Sequence, residues 1–320
     1  MNYLLNMTYC QCDPCHSGNL CQQLGRQNKY DAKYSNLITY SLAFCLSFLN
    51  NSMCLEVFIR CKSIRRTNTG TYLIGYSILC LLASSLILTD GIVDYDRSLF
   101  RGDPDSRDSF HCVVGVAGYN MAVFLCIWFS ACVQLERGLL LFRGATTNPT
   151  RRRSLVITVL LLIMAIVCAA PMVASTCNKE NAEYLKVWRV FLAIFHVAIP
   201  IVIYVTATVL SLMGFARRIR TYGLEQRSKV GTFAKLAYTH LFIFVPPAVY
   251  AACYVPHNLV APLDKSNKGY YFCVISLPEF ITRFLLRALM GLPFTITWLL
   301  FVYPSRVYMN EFYMNTWCGQ

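Results

Sequence analysis

The stretch Cys112–Arg137, CVVGVAGYNMAVFLCIWFSACVQLER, decides the fold. It holds no Asp, Lys or His, and its only two charges, Glu136 and Arg137, stand side by side at its end. As an α-helix rising about 1.5 Å per residue, the uncharged part is ~35 Å long, enough to cross a bilayer core of ~30 Å. One end carries a cysteine. The other carries an acid–arginine pair and runs into a basic segment with Arg143 and Arg151-Arg152-Arg153.

The rest of the chain has the same character. Its 320 residues are 56% hydrophobic and only 14% charged, where a soluble globule is usually about 25% charged. Six further stretches read as spans: Leu37–Ile59, Tyr72–Leu88, Leu155–Ala174, Val187–Met213, Phe233–Val255 and Phe284–Tyr303. Gly, Pro, Asn or charge clusters separate them. Backbone in lipid must satisfy its own hydrogen bonds, so these segments are helices. The expectation is an all-α, seven-transmembrane helix bundle. Residues 1–36 form an outer segment, 37–303 the membrane domain and 304–320 a short tail.

Charge orients the bundle. Arg60–Arg66 carries four basic residues and no acid, and the segment from Arg217 to Lys235 carries six against Glu225. The alternate segment Thr89–His111 holds six Asp against three Arg. Positive loops stay in the cytosol, so the N-terminus is extracellular and the C-terminus cytosolic. The net charge of +13 is then topology and contact with anionic lipid. Nucleic acid is a poor partner, because the basic residues are divided among loops. With no apolar core near Met1, the first helix is expected to insert without a cleavable signal peptide.

Sixteen cysteines fall into groups. Cys10, Cys12, Cys15 and Cys21 crowd the outer segment, where structural disulfides are favoured over a redox or zinc knuckle. Cys112 and Cys177 lie at outer span ends, and Cys253 and Cys273 flank the third outer loop. Most of the others lie inside helices as small hydrophobes. Asn6-Met7-Thr8 is an outer glycosylation acceptor. Asn50-Asn51-Ser52 has the same pattern but lies within the first span, out of reach of a transferase.

At this point the residues resemble a family, the rhodopsin-like G-protein-coupled receptors, over nearly the whole chain. Cys112 precedes Arg137 by 25 residues, the family's spacing between its third-helix cysteine and the arginine of its Asp/Glu-Arg-Tyr motif. Here that motif reads Glu136-Arg137-Gly138. Asn51 looks like the first-helix asparagine, Pro200 like the fifth-helix proline and Cys177 like the second-loop cysteine that bridges to the third helix. There are also departures. Cys80 falls where the family has a buried, sodium-holding aspartate, and a thiol is a poor ligand for a hard cation. The fourth helix lacks its tryptophan. The sixth has Phe244-Val245-Pro246-Pro247 in place of Cys-Trp-x-Pro, which leaves the toggle residue unassigned. The seventh ends in Tyr303-Pro304-Ser305-Arg306-Val307-Tyr308 rather than Asn-Pro-x-x-Tyr.

The resemblance implies a plasma-membrane, multi-pass receptor that couples an extracellular ligand to a heterotrimeric G protein through Glu136 and Arg137. An arginine in low dielectric is costly to leave unpaired. An inactive state is therefore expected to keep Arg137 beside Glu136, and an active state to release it as the sixth helix swings at its proline. The ligand's task is a population shift of a few kcal/mol. Counting as the family does, Tyr119 replaces the aspartate of amine receptors, and the seventh span lacks the lysine of opsins. A peptide ligand is favoured, as in the neuropeptide receptors.

Asn120, His196 and Tyr250 stand in the outer parts of their spans, either as ligand contacts or as core packing. Arg287, in register with Glu279 and Arg283 at four-residue spacing, lies in or near the membrane, where an ionisable residue is a site candidate. No cofactor or metal ion is expected. The alternative is a transporter or channel, which would carry internal repeats or several buried carboxylates; no repeat is visible, and Glu56, Glu136 and Glu279 are the carboxylates near the membrane. An enzyme is not expected, because His16, His111, His196, His240 and His257 are scattered.

Overall fold

A computed structural model of the chain describes residues 16–17, 23–24, 26–95, 110–143, 151–177, 187–188, 190–192, 194–221, 241–263, 285, 288–289 and 291–316. Apart from a two-residue antiparallel pairing of His16–Ser17 with Gln23–Leu24 and a few residues at helix junctions, these are helical. The elements are α1 (Arg26–Arg60), α2 (Lys62–Arg65), α3 (Asn68–Tyr95), α4 (Tyr119–Arg143), α5 (Arg151–Cys177), α6 (Ile199–Thr221), α7 (Leu241–Leu263) and α8 (Arg306–Asn315). Short π-helical turns lead into α4 (His111–Gly118) and α6 (Ile194–Ala198), and a third (Trp298–Val302) precedes α8.

Five helices among the described residues are long and apolar enough to cross a membrane: Leu37–Arg60, Asn68–Val93, Tyr119–Arg143, Arg152–Pro171 and Val190–Arg217. They coincide with the first five expected spans. The second, short on paper, extends at both ends, because its Asn, Thr and Asp residues do not stop a helix that neighbours support. The first helix starts at Arg26, inside the stretch expected to precede the bundle. Of the sixth expected span, Phe233–Val255, the part from Leu241 onward is helical, with an apolar core of Ile243–Cys253. Of the seventh, Phe284–Tyr303, the described residues are mainly those after 290.

The pattern of exposure is that of a membrane protein. On α5, Val156, Leu160, Ile163 and Val167 are each more than half exposed, while Ser154, Leu161, Ala165 and Cys168 are buried. On α1, Leu42 and Leu49 face out while Ser47 and Asn51 are fully buried. In water such apolar stripes would be an aggregation surface; in a bilayer they need no cover. The chain is an all-α, multi-pass membrane protein.

The central element is α4, which packs against α3, α5, α6 and α7. Two glycines bring α4 and α6 close. A Cβ on Gly138 would lie 2.6 Å from the Ala207 carbonyl oxygen, and one on Gly214 would lie 2.5 Å from that of Leu141. Small residues at such crossings let membrane helices approach backbone to backbone. The π-helical turn before α6 has a local cause as well. Pro200 cannot donate to the preceding turn, and a looser turn absorbs the missing bond.

Candidate functional site

At the C-terminal end of α4, each member of the Glu136–Arg137 pair reaches a different helix. Asn68, at the start of α3, donates its Nδ2–H to Glu136 Oε1 at 3.1 Å. The Arg137 guanidinium donates to the hydroxyl of Tyr308 on α8 and lies 5.2 Å from the centre of that ring. Beside the expected neighbour Glu136, Arg137 thus engages a phenol from the last helix, a partner that spacing did not point to. Tyr308 is buried and meets Phe58 of α1 edge to face, with centroids 5.8 Å apart.

The sequence after Tyr303 explains how Tyr308 gets there. The helical run breaks at Tyr303-Pro304 and restarts at Ser305, which is extended and accepts from the Tyr308 backbone N–H at 3.4 Å. Serine at such a position is a standard N-cap. One turn further on, Phe312 is also buried and packs edge to face on Trp298 at 5.8 Å. Tyr308 and Phe312, four apart, therefore fasten one face of α8 to the bundle, while Arg306, Val307 and Tyr313 face outward.

Above this cluster runs a chain of buried polar contacts. Asn51 donates to the Ser47 carbonyl at 2.8 Å and to the Phe294 carbonyl at 3.0 Å. Ser47 lies 3.4 Å from the Cys80 carbonyl. Thr297 donates to Cys80 Sγ at 3.9 Å, and Cys126 Sγ lies 3.7 Å from the same sulfur. The site where the resemblance puts a sodium aspartate is therefore built of two hydroxyls and two thiols. Nearby, Tyr76 donates to the Pro293 carbonyl at 3.1 Å. That uses its one proton, so at the 2.6 Å contact between the two hydroxyls Tyr250 is the donor. The Tyr250 ring stacks on Tyr204 of α6, centroids 5.8 Å apart.

His196 is fully buried. Its ring stacks on Phe124 at 4.1 Å, and its Nδ1 accepts from the Trp128 indole N–H at 3.1 Å. A neutral imidazole accepting at Nδ1 carries its proton on Nε2, and among the described residues that nitrogen has no hydrogen-bond partner. Of the other expected ligand contacts, Tyr119 packs against the core and Asn120 is half-buried beside it. Tyr250 is a joint between α3, α6 and α7. Arg287, Asn6, Glu279 and Arg283 lie outside the described residues. So do the side chains of Cys112 and Cys177, so their pairing stays an expectation.

Asn68, Tyr76, Trp128 and the role of Tyr308 were not legible from spacing, because each partner lies 68 or more positions away. Among the described residues no group of three or more His, Cys, Asp or Glu side chains is arranged to hold a metal ion. No protein-family model matches the chain, and no curated protein matches it significantly.

Proposed function

We propose that the chain is a seven-helix cell-surface receptor that activates a heterotrimeric G protein, with a peptide favoured as its extracellular ligand. The observation that carries this reading is Arg137 at the basic, inner end of the central helix, engaged by Tyr308 from a helix that is itself only docked. A guanidinium engaged by a displaceable phenol is a two-state element. In one state Arg137 is used inside the chain. In the other it faces a partner helix in a cleft opened by movement of α7. The link between Asn51 and the Phe294 carbonyl supports the same reading, because it ties the first-helix asparagine to the last span. On the extracellular side, Tyr119 in place of an amine-binding acid supports a peptide over an amine.

A transporter or channel is the competing reading, and the two differ in measurable output. In cells carrying a promiscuous G-protein reporter and exposed to a peptide library, the native chain gives ligand-dependent signalling without substrate flux. Arg137→Ala abolishes that signal while surface expression stays measurable. Unchanged signalling in Arg137→Ala removes this residue from the mechanism. Substrate or ion flux without G-protein activation replaces the receptor with a carrier.

A further inference from the structure

The short helix α2 (Lys62–Arg65) joins the first two spans. The span Leu37–Arg60 ends just before it and the span Asn68–Val93 begins just after it, so α2 lies at the boundary of the apolar layer. Arg60, Lys62, Arg65 and Arg66 are all exposed, and no acid interrupts them. Four basic residues directly beside a span form the pattern that attracts anionic lipid. On the orientation expected from loop charge, this is the cytosolic face.

Three features set α2 apart from a loosely charged loop. It is fastened to the bundle. Cys61 and Ile64 are buried, and the Thr67 hydroxyl donates to the Ile64 carbonyl at 2.7 Å and accepts from the Gly70 backbone N–H at 3.0 Å. A Cβ on Gly70 would collide with that same carbonyl, so α2 rests directly on the first turn of α3. Its cations are also crowded. Arg66 continues the helical turn, which puts Lys62, Arg65 and Arg66 at i, i+3 and i+4 on one face, about 5–6 Å apart at Cβ, and like charges so placed disfavour a helix. Finally, the acids of the adjoining helices are engaged elsewhere. Glu56 pairs with Arg60 at 3.4 Å, and Glu136 accepts from Asn68. Among the described residues, no side-chain hydrogen bond or ion pair reaches Lys62, Arg65 or Arg66.

Charge selects the occupant. A headgroup with one negative charge relieves one of these repulsions. A headgroup with two phosphate monoesters, each carrying about −1.5 to −2 charge at neutral pH, relieves all of them together. Guanidinium forks take phosphate oxygens two at a time, and a lysine adds a point charge. We propose that α2 binds a polyphosphorylated lipid headgroup of phosphoinositide type, held by Lys62, Arg65 and Arg66. Ile59, one position before Arg60, is 47% exposed and gives the acyl chains of such a lipid an apolar contact beside its headgroup. Because α2 is already fastened, little ordering of the backbone opposes binding. The site stands apart from the receptor reading, since it requires only the membrane surface and α2.

The test titrates the purified full chain, in a neutral detergent, with dioctanoyl phosphatidylinositol bisphosphate and reads bound lipid by native mass spectrometry. Dioctanoyl phosphatidylserine at equal total charge serves as competitor. The expected result is saturable binding of the bisphosphate lipid that phosphatidylserine does not displace. Replacing Lys62→Gln, Arg65→Gln and Arg66→Gln together weakens it by about tenfold or more. Should that variant not fold, Arg65→Gln and Arg66→Gln taken singly each weaken it. Arg143→Gln, Arg152→Gln and Arg217→Gln together remove the same charge from other helix ends and leave the affinity unchanged. Displacement by phosphatidylserine, unchanged affinity in the α2 variants, or equal loss in both triple variants overturns the proposal. So does free inositol trisphosphate binding as tightly as the lipid, which makes the ligand a soluble polyanion.

Discussion

The Tyr308 hydroxyl is one of the groups that hold Arg137. A hydrogen bond to a charged group contributes about 1.5–3 kcal/mol, and the cation–ring contact that remains without it about 0.5–1 kcal/mol. Tyr308→Phe therefore keeps the ring in its place against Phe58 but weakens the hold on the guanidinium. On the proposed function, basal signalling in Tyr308→Phe rises several-fold at equal surface expression, because a shift of ~1.4 kcal/mol changes a two-state ratio tenfold. Basal output at or below the native level means that the phenol does not restrain Arg137. A second residue-scale expectation concerns Cys80. With sulfur and hydroxyl around it in place of a carboxylate, exchanging choline chloride for sodium chloride at constant ionic strength leaves the thermal unfolding midpoint and any agonist affinity unchanged. A clear sodium effect on either contradicts this account of the site.

At the scale of elements, the departure Gly138 acquires a physical reason. The family's motif has a tyrosine there, but here α6 comes so close that any side chain would meet the Ala207 carbonyl. Gly138→Ala forces α4 and α6 apart, with a cost of about 1–3 kcal/mol typical of overpacking. The expected outcome is a lowered unfolding midpoint and reduced surface expression, while Gly75→Ala serves as a comparison. A Cβ at Gly75 would lie 2.8 Å from the edge of the Phe129 ring, a side chain that can shift, rather than from backbone. Equal loss in both variants means that backbone proximity is not what Gly138 provides. The docking of α8 follows a different rule. Its two inward aromatics are four apart, a pattern visible in the sequence, whereas their partners Phe58, Arg137 and Trp298 come from three other elements.

At the scale of the molecule, the proposed function carries one joint expectation from loop charge and the seven apolar stretches of the sequence: N-terminus outside, C-terminus inside, seven crossings. In intact cells, an epitope appended before Met1 is expected to be stained without permeabilisation, and one appended after Gln320 only after it. Staining of both termini from outside, or neither, means an even number of crossings and removes the seven-helix arrangement.

The sequence alone determined that this is a multi-pass helical membrane protein and where five of its spans run. Hydropathy over twenty residues and the cost of unsatisfied backbone in lipid are local properties that need no knowledge of neighbours. It also singled out Asn51, Glu136 and Arg137 as polar groups in costly places. What each of them bonds was decided only by tertiary structure. Glu136 reaches Asn68, Arg137 reaches Tyr308 and Asn51 reaches the Phe294 carbonyl, pairings across 68, 171 and 243 positions. The physical reason is that a buried polar group must find some partner, but which one depends on which helices the small residues allow to touch.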